Sequence, residues 1–133
     1  MIVVDSSVLI FAIRGMLRPS TELLRHEVER SRLLIGDVSL LEVLREARDE
    51  AHAARLETQL RRYEIVPMLD ERIALAAARN YRMLRSLGIT VHKLGDLIIG
   101  TYCIENDHRL LQDDRDFGHM VEHLGLRLAR PKH

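Results

Sequence analysis

The stretch LLQDDRDF, Leu110 to Phe117, places Asp113, Asp114 and Asp116 directly after an apolar run. One acid there can cap a helix. Three raise the electrostatic energy unless something positive lies nearby. Other acids sit in similar settings: Asp5 in VVDSSVLI, Asp37 and Glu42 in DVSLLEVLREA, and Asp96 in KLGDLIIG. If the fold gathers them, their proton affinities rise unless a cation is present. Oxygen ligands suit the hard ions Mg²⁺ and Mn²⁺. Such an ion lowers the pKa of a bound water and stabilises charge on a leaving oxygen, the needs of phosphodiester hydrolysis.

Each acid also has a plainer explanation. Asp is a favoured N-cap, and acids in a first helical turn suit the helix dipole. Asp5 can cap the helix that begins in SSVLIF, and Asp96 can cap the apolar helix that follows it. Ser39-Leu40-Leu41-Glu42 matches a capping box, with Glu42 reaching back to Ser39. Only the convergence of several acids on one edge favours the metal reading. Other chemistries are poorly supplied. His119 and His123 are spaced i, i+4 without a third ligand in view, so a solvated face is expected there. Cys103 lies among apolar residues and reads as packing. The chain has no Walker A pattern and no G-x-G-x-x-G.

The elements that must position these acids alternate. Strands are expected at Ile2 to Val4, Leu33 to Ile35, Tyr63 to Val66 and Arg109 to Leu111, with an edge strand at Leu126 to Leu128. One helix is expected over Thr21 to Arg32, with Leu24, Val28 and Ser31 on a face. Another is expected over Leu40 to Arg62, a stretch without Gly or Pro. Asp70 to Leu87 carries Ile73, Ala77, Tyr81 and Leu84 as an amphipathic stripe closed by Gly88. Leu97 to Ile104 is apolar nearly all round and reads as a buried helix. This alternation predicts an α/β sandwich with a mostly parallel sheet of four to five strands. In such sheets the strand-to-helix junctions open on one edge, where ligands bind.

Composition agrees. The 133 residues fit a single domain, expected over 1–130, with 131–133 as a short tail. Hydrophobic residues make up 47%, which argues against disorder. Twenty basic residues balance twenty acidic ones, so bulk charge does not define a nucleic-acid binder. A single cysteine excludes an internal disulfide framework. The N-terminal apolar stretch lacks a basic region ahead of it and is interrupted by Asp5, so it makes a poor signal peptide. No apolar run approaches the ~20 residues that span a bilayer. A soluble, cytoplasmic chain is expected.

MIVVDSSVLI, the Glu42 of VSLLEVLREA, LRSLGITVHKLGDLIIG and RLLQDDRDF together resemble the PIN-domain family, and within it the VapC-type toxins of bacterial toxin–antitoxin pairs. The resemblance covers nearly the whole chain, in the family's order and spacing. It implies a three-layer α/β/α sandwich whose acidic pocket binds Mg²⁺ or Mn²⁺ and cleaves RNA, leaving a 5′ phosphate and a 3′ hydroxyl. By position, Asp5, Glu42, Asp96 and Asp114 match the four catalytic acids, and Asp116 matches an auxiliary one. The implied metal ligands are Asp5, Asp96, Asp114 and Asp116. Ser6 matches a small hydroxyl expected to hydrogen-bond Asp5 and to contact substrate, with helix capping as its alternative. Asp113 is expected to be a solvated loop residue. Lys93 and Arg115 are implied near the substrate phosphate; Arg14, Arg18 and Arg45 are further candidates, and an ordinary surface charge is the alternative for each.

The chain departs from the family pattern at Gly100 and Thr101, which interrupt a stretch usually rich in alanine. The resemblance also implies a VapB-like antitoxin as partner, and a homodimer or a toxin–antitoxin hetero-oligomer. An apolar face within Thr21 to Arg62 can serve either contact, with core packing as the alternative. Two other functions compete: a PIN-like module that binds RNA or a partner without cleaving, and a DNA-directed or flap nuclease. Retention of all four acids argues against the first. The absence of a DNA-gripping insertion argues against the second.

Overall fold

The computed structural model describes residues 1–27 and 32–130. Five short strands form its sheet: β1 (Ile2–Val4), β2 (Leu33–Gly36), β3 (Glu64–Val66), β4 (Arg109–Leu111) and β5 (Arg127–Leu128). Their order is β3-β2-β1-β4-β5, and every pairing is parallel. Parallel strands need crossovers, and crossovers cover both faces, so successive residues must all be apolar. The central strands obey this rule. Val3, Leu34 and Leu110 join one core, while Val4, Leu33, Ile35 and Leu111 join the other. The expected α/β/α sandwich is present.

Helices α1 (Ser6–Ile13), α2 (Pro19–Glu22), α3 (Asp37–Leu44) and α4 (Glu50–Leu60) connect β1, β2 and β3. Helices α5 (Glu71–Ser86) and α6 (Leu94–Glu105) connect β3 to β4, and α7 (Gly118–Leu124) leads to β5. Helix α5 realises its expected stripe: Ile73, Ala77 and Leu84 are buried and Tyr81 is half-buried. The Asp70 carboxylate caps its start by accepting the Ile73 N–H at 2.8 Å. Its end is closed by Gly88 at φ +81°, where a side chain would be strained. Helix α6 is buried from Asp96 through Thr101 and at Cys103.

Two expected helices differ. The single helix over Leu40 to Arg62 is two helices, broken at Arg45 to Asp49. The break has a local cause: Asp49 accepts the His52 N–H at 2.7 Å as a new N-cap, and His52 Nδ1 accepts the Arg48 N–H at 3.1 Å. An uninterrupted run of helix formers concealed this capping competition. Of the helix expected over Thr21 to Arg32, the described residues are helical but begin earlier, as α2 from Pro19, and widen into a π-helical turn at Leu23–Glu27. Val28 and Ser31 lie outside the described residues, as does the tail 131–133.

The departure at Gly100 and Thr101 has a packing reason. A Cβ on Gly100 would lie 2.4 Å from Met120 Cε, so α6 and α7 meet closely there. The buried Thr101 hydroxyl accepts from Asn80 Nδ2 at 3.0 Å and links α6 to α5.

Strand β1 lies between β2 and β4, so the chain winds away on one side and returns on the other. The switch between β1 and β4 leaves a crevice beyond their C-terminal ends. Asp5 follows β1, and Asp113 and Asp114 follow β4. Phe117 is fully buried in the core below this crevice. Phe117→Ala is expected to lower unfolding free energy by about 3–5 kcal/mol in urea denaturation. Leu75→Ala, at a position 57% exposed, should change it by about 0.5 kcal/mol or less.

Candidate functional site

Asp5 serves as helix cap and pocket acid together. Its Oδ2 accepts the Ser7 N–H at 3.1 Å and the Ser7 hydroxyl at 2.5 Å. Its Oδ1 is buried without a partner among the described residues. The hydroxyl expected on Asp5 from Ser6 therefore comes from Ser7. Ser6 instead donates to Glu42 Oε1 at 3.1 Å. On a helix these two neighbours point about 100° apart, so one serves the β1 acid and the other the α3 acid. Ser7 Oγ also accepts the Asp113 N–H at 3.0 Å, which joins the ends of β1 and β4.

Glu42 is not part of a capping box. Helix α3 begins at Asp37 with Gly36 as its N-cap, so Ser39 is already inside the helix. The Ser39 hydroxyl is buried with no partner among the described residues. Glu42 is thus free to face the pocket. A Cβ on Gly95 would lie 2.9 Å from Glu42 Oε2, so glycine opens the space the carboxylate uses. Asp37 turns elsewhere: its Oδ1 accepts the Met68 N–H at 3.2 Å.

Asp96 is not a cap either. Lys93 occupies the N-cap position of α6, and Asp96 sits in the first turn, 4% exposed. Its Oδ2 is buried without a partner among the described residues. Oxygens of Asp96, Asp114 and Asp116 lie within 4.8 Å of one another. Asp114 caps the short 3₁₀ turn Arg115–Phe117 by accepting the Asp116 N–H at 3.0 Å. Lys93 Nζ donates to Asp114 Oδ2 at 2.8 Å and lies 3.7 Å from Asp116 Oδ2.

Asp113 is not a solvated loop residue. Arg18 grips both its oxygens, through Nε and, at 2.8 Å, through Nη2. The Ser20 hydroxyl adds a bond at 2.8 Å. The Arg18 guanidinium also stacks 4.5 Å from the Phe11 ring centre. This removes Arg18 from the free cations expected to grip substrate. Arg45 lies 3.7 Å from Glu46. Arg14 and Arg115 are exposed.

Charge couples the pocket. Burial pushes the Asp5 carboxyl above its ordinary value, against the two bonds from Ser7, and the Glu42 and Asp114 charges push the same way. Burial likewise pushes Asp96 up to about 7, aided by the charges of Asp5, Asp114 and Glu42 and opposed by Lys93. Asp114 is also lifted by burial, but the Lys93 ammonium and the Asp116 N–H outweigh that and hold it low. The pocket thus contains two acids that favour the proton and one that favours charge.

The residues fit a hard divalent ion. All donors are oxygens, and the two carboxylate oxygens without a partner among the described residues, Asp5 Oδ1 and Asp96 Oδ2, are what a cation would satisfy. Elsewhere, Glu122 supplies the third group that the sequence reading did not find beside His119 and His123. All three are exposed, and Glu122 Oε2 lies 3.7 Å from His123 Nε2. The face is solvated, as expected. Burial pushes the Cys103 thiol up to about 12, consistent with packing and not with a nucleophile.

A carboxylate cluster at the switch point of a parallel α/β/α sandwich defines the class of protein. The PIN-domain family model matches residues 2–122, and the chain belongs to that family. No curated protein matches it in sequence. Its fold is similar to chains in solved toxin–antitoxin complexes. FitAcB from Neisseria gonorrhoeae matches with TM-score 0.76 and 15% identity, covering 98% of each chain. VapBC-1 from nontypeable Haemophilus influenzae matches with TM-score 0.76 and 16% identity over 98% of each. DNA-bound VapBC from Salmonella typhimurium matches with TM-score 0.75 and 19% identity, over 97% of this chain and 96% of that one.

The raised Asp96 predicts a pH effect on the metal-free protein. An acid whose folded pKa is above its unfolded value binds more protons when folded. Stability is then greatest below the unfolded value, near 3.8, and is lost as pH rises to about 7. The loss over that range is on the order of 4 kcal/mol if Asp96 acts alone. Urea denaturation in EDTA should show lower stability at pH 8 than at pH 5, and Asp96→Asn should flatten the difference.

Proposed function

We propose that the chain is the toxin of a type II toxin–antitoxin pair, a Mg²⁺- or Mn²⁺-dependent endoribonuclease acting in the cytoplasm. The observation that carries this reading is the pair of unsatisfied buried oxygens, Asp5 Oδ1 and Asp96 Oδ2, in one electrostatically coupled acidic pocket. Such an arrangement costs stability in the free protein and is explained by a cation it is built to receive.

Asp5, Asp96 and Asp114 would hold the ion, with Asp116 at the exposed rim. When bound, the ion supplies Lewis acidity at the phosphate and lowers the pKa of a water. Glu42 is oriented by the Ser6 hydroxyl on Oε1, and its Oε2 can take a proton from an attacking water. Ser6 is therefore assigned to positioning Glu42 in place of contacting substrate directly. Lys93 and Arg115 stand at the exposed edge, where a ribose-phosphate chain would approach. This chemistry needs no protein nucleophile, and the thiol of Cys103 is buried and its pKa pushed up to about 12.

A VapB-like antitoxin is the proposed partner. The solved relatives described as VapBC and FitAcB are complexes, and this chain carries exposed apolar residues in its first half: Leu17 at 75%, Leu41 at 65% and Met16 at 41%. The same residues suit a homodimer or a toxin–antitoxin hetero-oligomer. No helix among the described residues is long and apolar enough to cross a membrane.

The test is cleavage of total bacterial RNA by antitoxin-free protein. Cuts should appear with Mg²⁺ or Mn²⁺ and vanish with EDTA. Asp96→Asn and Asp5→Asn should each lose more than the about 10- to 100-fold that removal of an outer-shell partner costs. A folded, antitoxin-free protein that binds RNA yet leaves it intact would favour the binding module instead.

A further inference from the structure

Lys93 is out of character with the rest of the chain. Of twenty basic residues, eighteen are arginine, and the only lysines are Lys93 and Lys132. Lys93 also sits at the N-cap of α6, where the helix dipole disfavours a cation. Asp114 Oδ2 at 2.8 Å and Asp116 Oδ2 at 3.7 Å offset that penalty. Its side chain is 56% exposed, so packing does not lock it in place.

From this geometry we infer that Lys93 is an exchangeable counter-ion: it neutralises Asp114 and Asp116 when no divalent ion is present, and leaves them when one binds. The inference rests on the acidic pocket being a divalent-ion site. The oxygens that Lys93 contacts belong to the group of Asp96, Asp114 and Asp116 that lies within 4.8 Å. A divalent ion and an ammonium cannot share that space without strong repulsion. The residue type suits exchange. An ammonium is a compact point charge on a flexible stem, whereas a guanidinium would clamp a carboxylate with a rigid fork. Arg18 does that to Asp113, and there the pairing is structural. The two neighbouring aspartates are thus held by two different cations, one as a fixture and one as a placeholder.

The placeholder keeps the free site from accumulating unbalanced charge, and divalent binding moves a cation to the rim. The experiment labels lysine. Wild-type protein is acetylated briefly with N-hydroxysuccinimidyl acetate, with and without Mg²⁺, and Lys93 modification is read by peptide mass spectrometry against Lys132 in the same chain. Calorimetry on the same preparation measures Mg²⁺ binding. Mg²⁺ should raise Lys93 labelling by about fivefold, the factor that corresponds to the upper end for an exposed ion pair. Asp114→Asn should show the high level without Mg²⁺ and no response to it. Mg²⁺ binding with unchanged or reduced Lys93 labelling would overturn the exchange while leaving the metal site standing. No Mg²⁺ binding at all would overturn both.

Discussion

The mutual repulsion of carboxylates held away from water is the constraint on which this structure turns. Asp5 and Asp96 are 1% and 4% exposed, and each keeps one oxygen without a partner among the described residues. In a medium of low polarity that arrangement favours protons over charge. The fold tolerates it because rigid elements impose it. Asp5 is fixed by the parallel pairing of β1 and by its own cap on α1. Asp96 is fixed by the buried first turn of α6. Neither can turn to solvent without unpacking the centre of the molecule.

Around that constraint the other polar contacts divide into two kinds. Some hold the acids in place: Ser7 bridges Asp5 and Asp113, Ser6 orients Glu42, and Arg18 with Ser20 anchors Asp113 beside Asp114. Others moderate the charge: Lys93 keeps Asp114 ionised and partly offsets the rise at Asp96. Glycine contributes by absence, since a side chain at Gly95 would occupy the space of the Glu42 carboxylate. The pocket is therefore a property of loops and helix starts from four parts of the chain, drawn together by one sheet.

Much of this was legible in the amino-acid order. The strands announce themselves because both faces of a parallel sheet are covered, so Ile2-Val3-Val4 and Leu33-Leu34-Ile35 need no polar alternation. Helix α5 reads clearly from its stripe and from Gly88. The acids stood out by recurring after strands. What escaped was what local pattern cannot carry. The break between α3 and α4 depends on Asp49 and His52 capping within a run of helix formers. The capping box at Ser39 and Glu42 fits the sequence, but α3 starts three residues earlier and releases the glutamate. The exchange of roles between Ser6 and Ser7 follows from helix rotation, and the Arg18–Asp113 clamp spans 95 positions in the chain. Such distant pairings become visible only when the fold brings their partners together.

The central claim is that buried Asp96 carries a proton in the free protein below about pH 7 and surrenders it to a divalent ion. Titration calorimetry with Mg²⁺, run in buffers of different ionisation enthalpy, counts protons released on binding. The account predicts release of about one proton from Asp96 at pH 6, falling towards none near pH 9, where Asp96 is already ionised. Binding at pH 6 without proton release would contradict it, because the carboxylates would then be charged before the ion arrives.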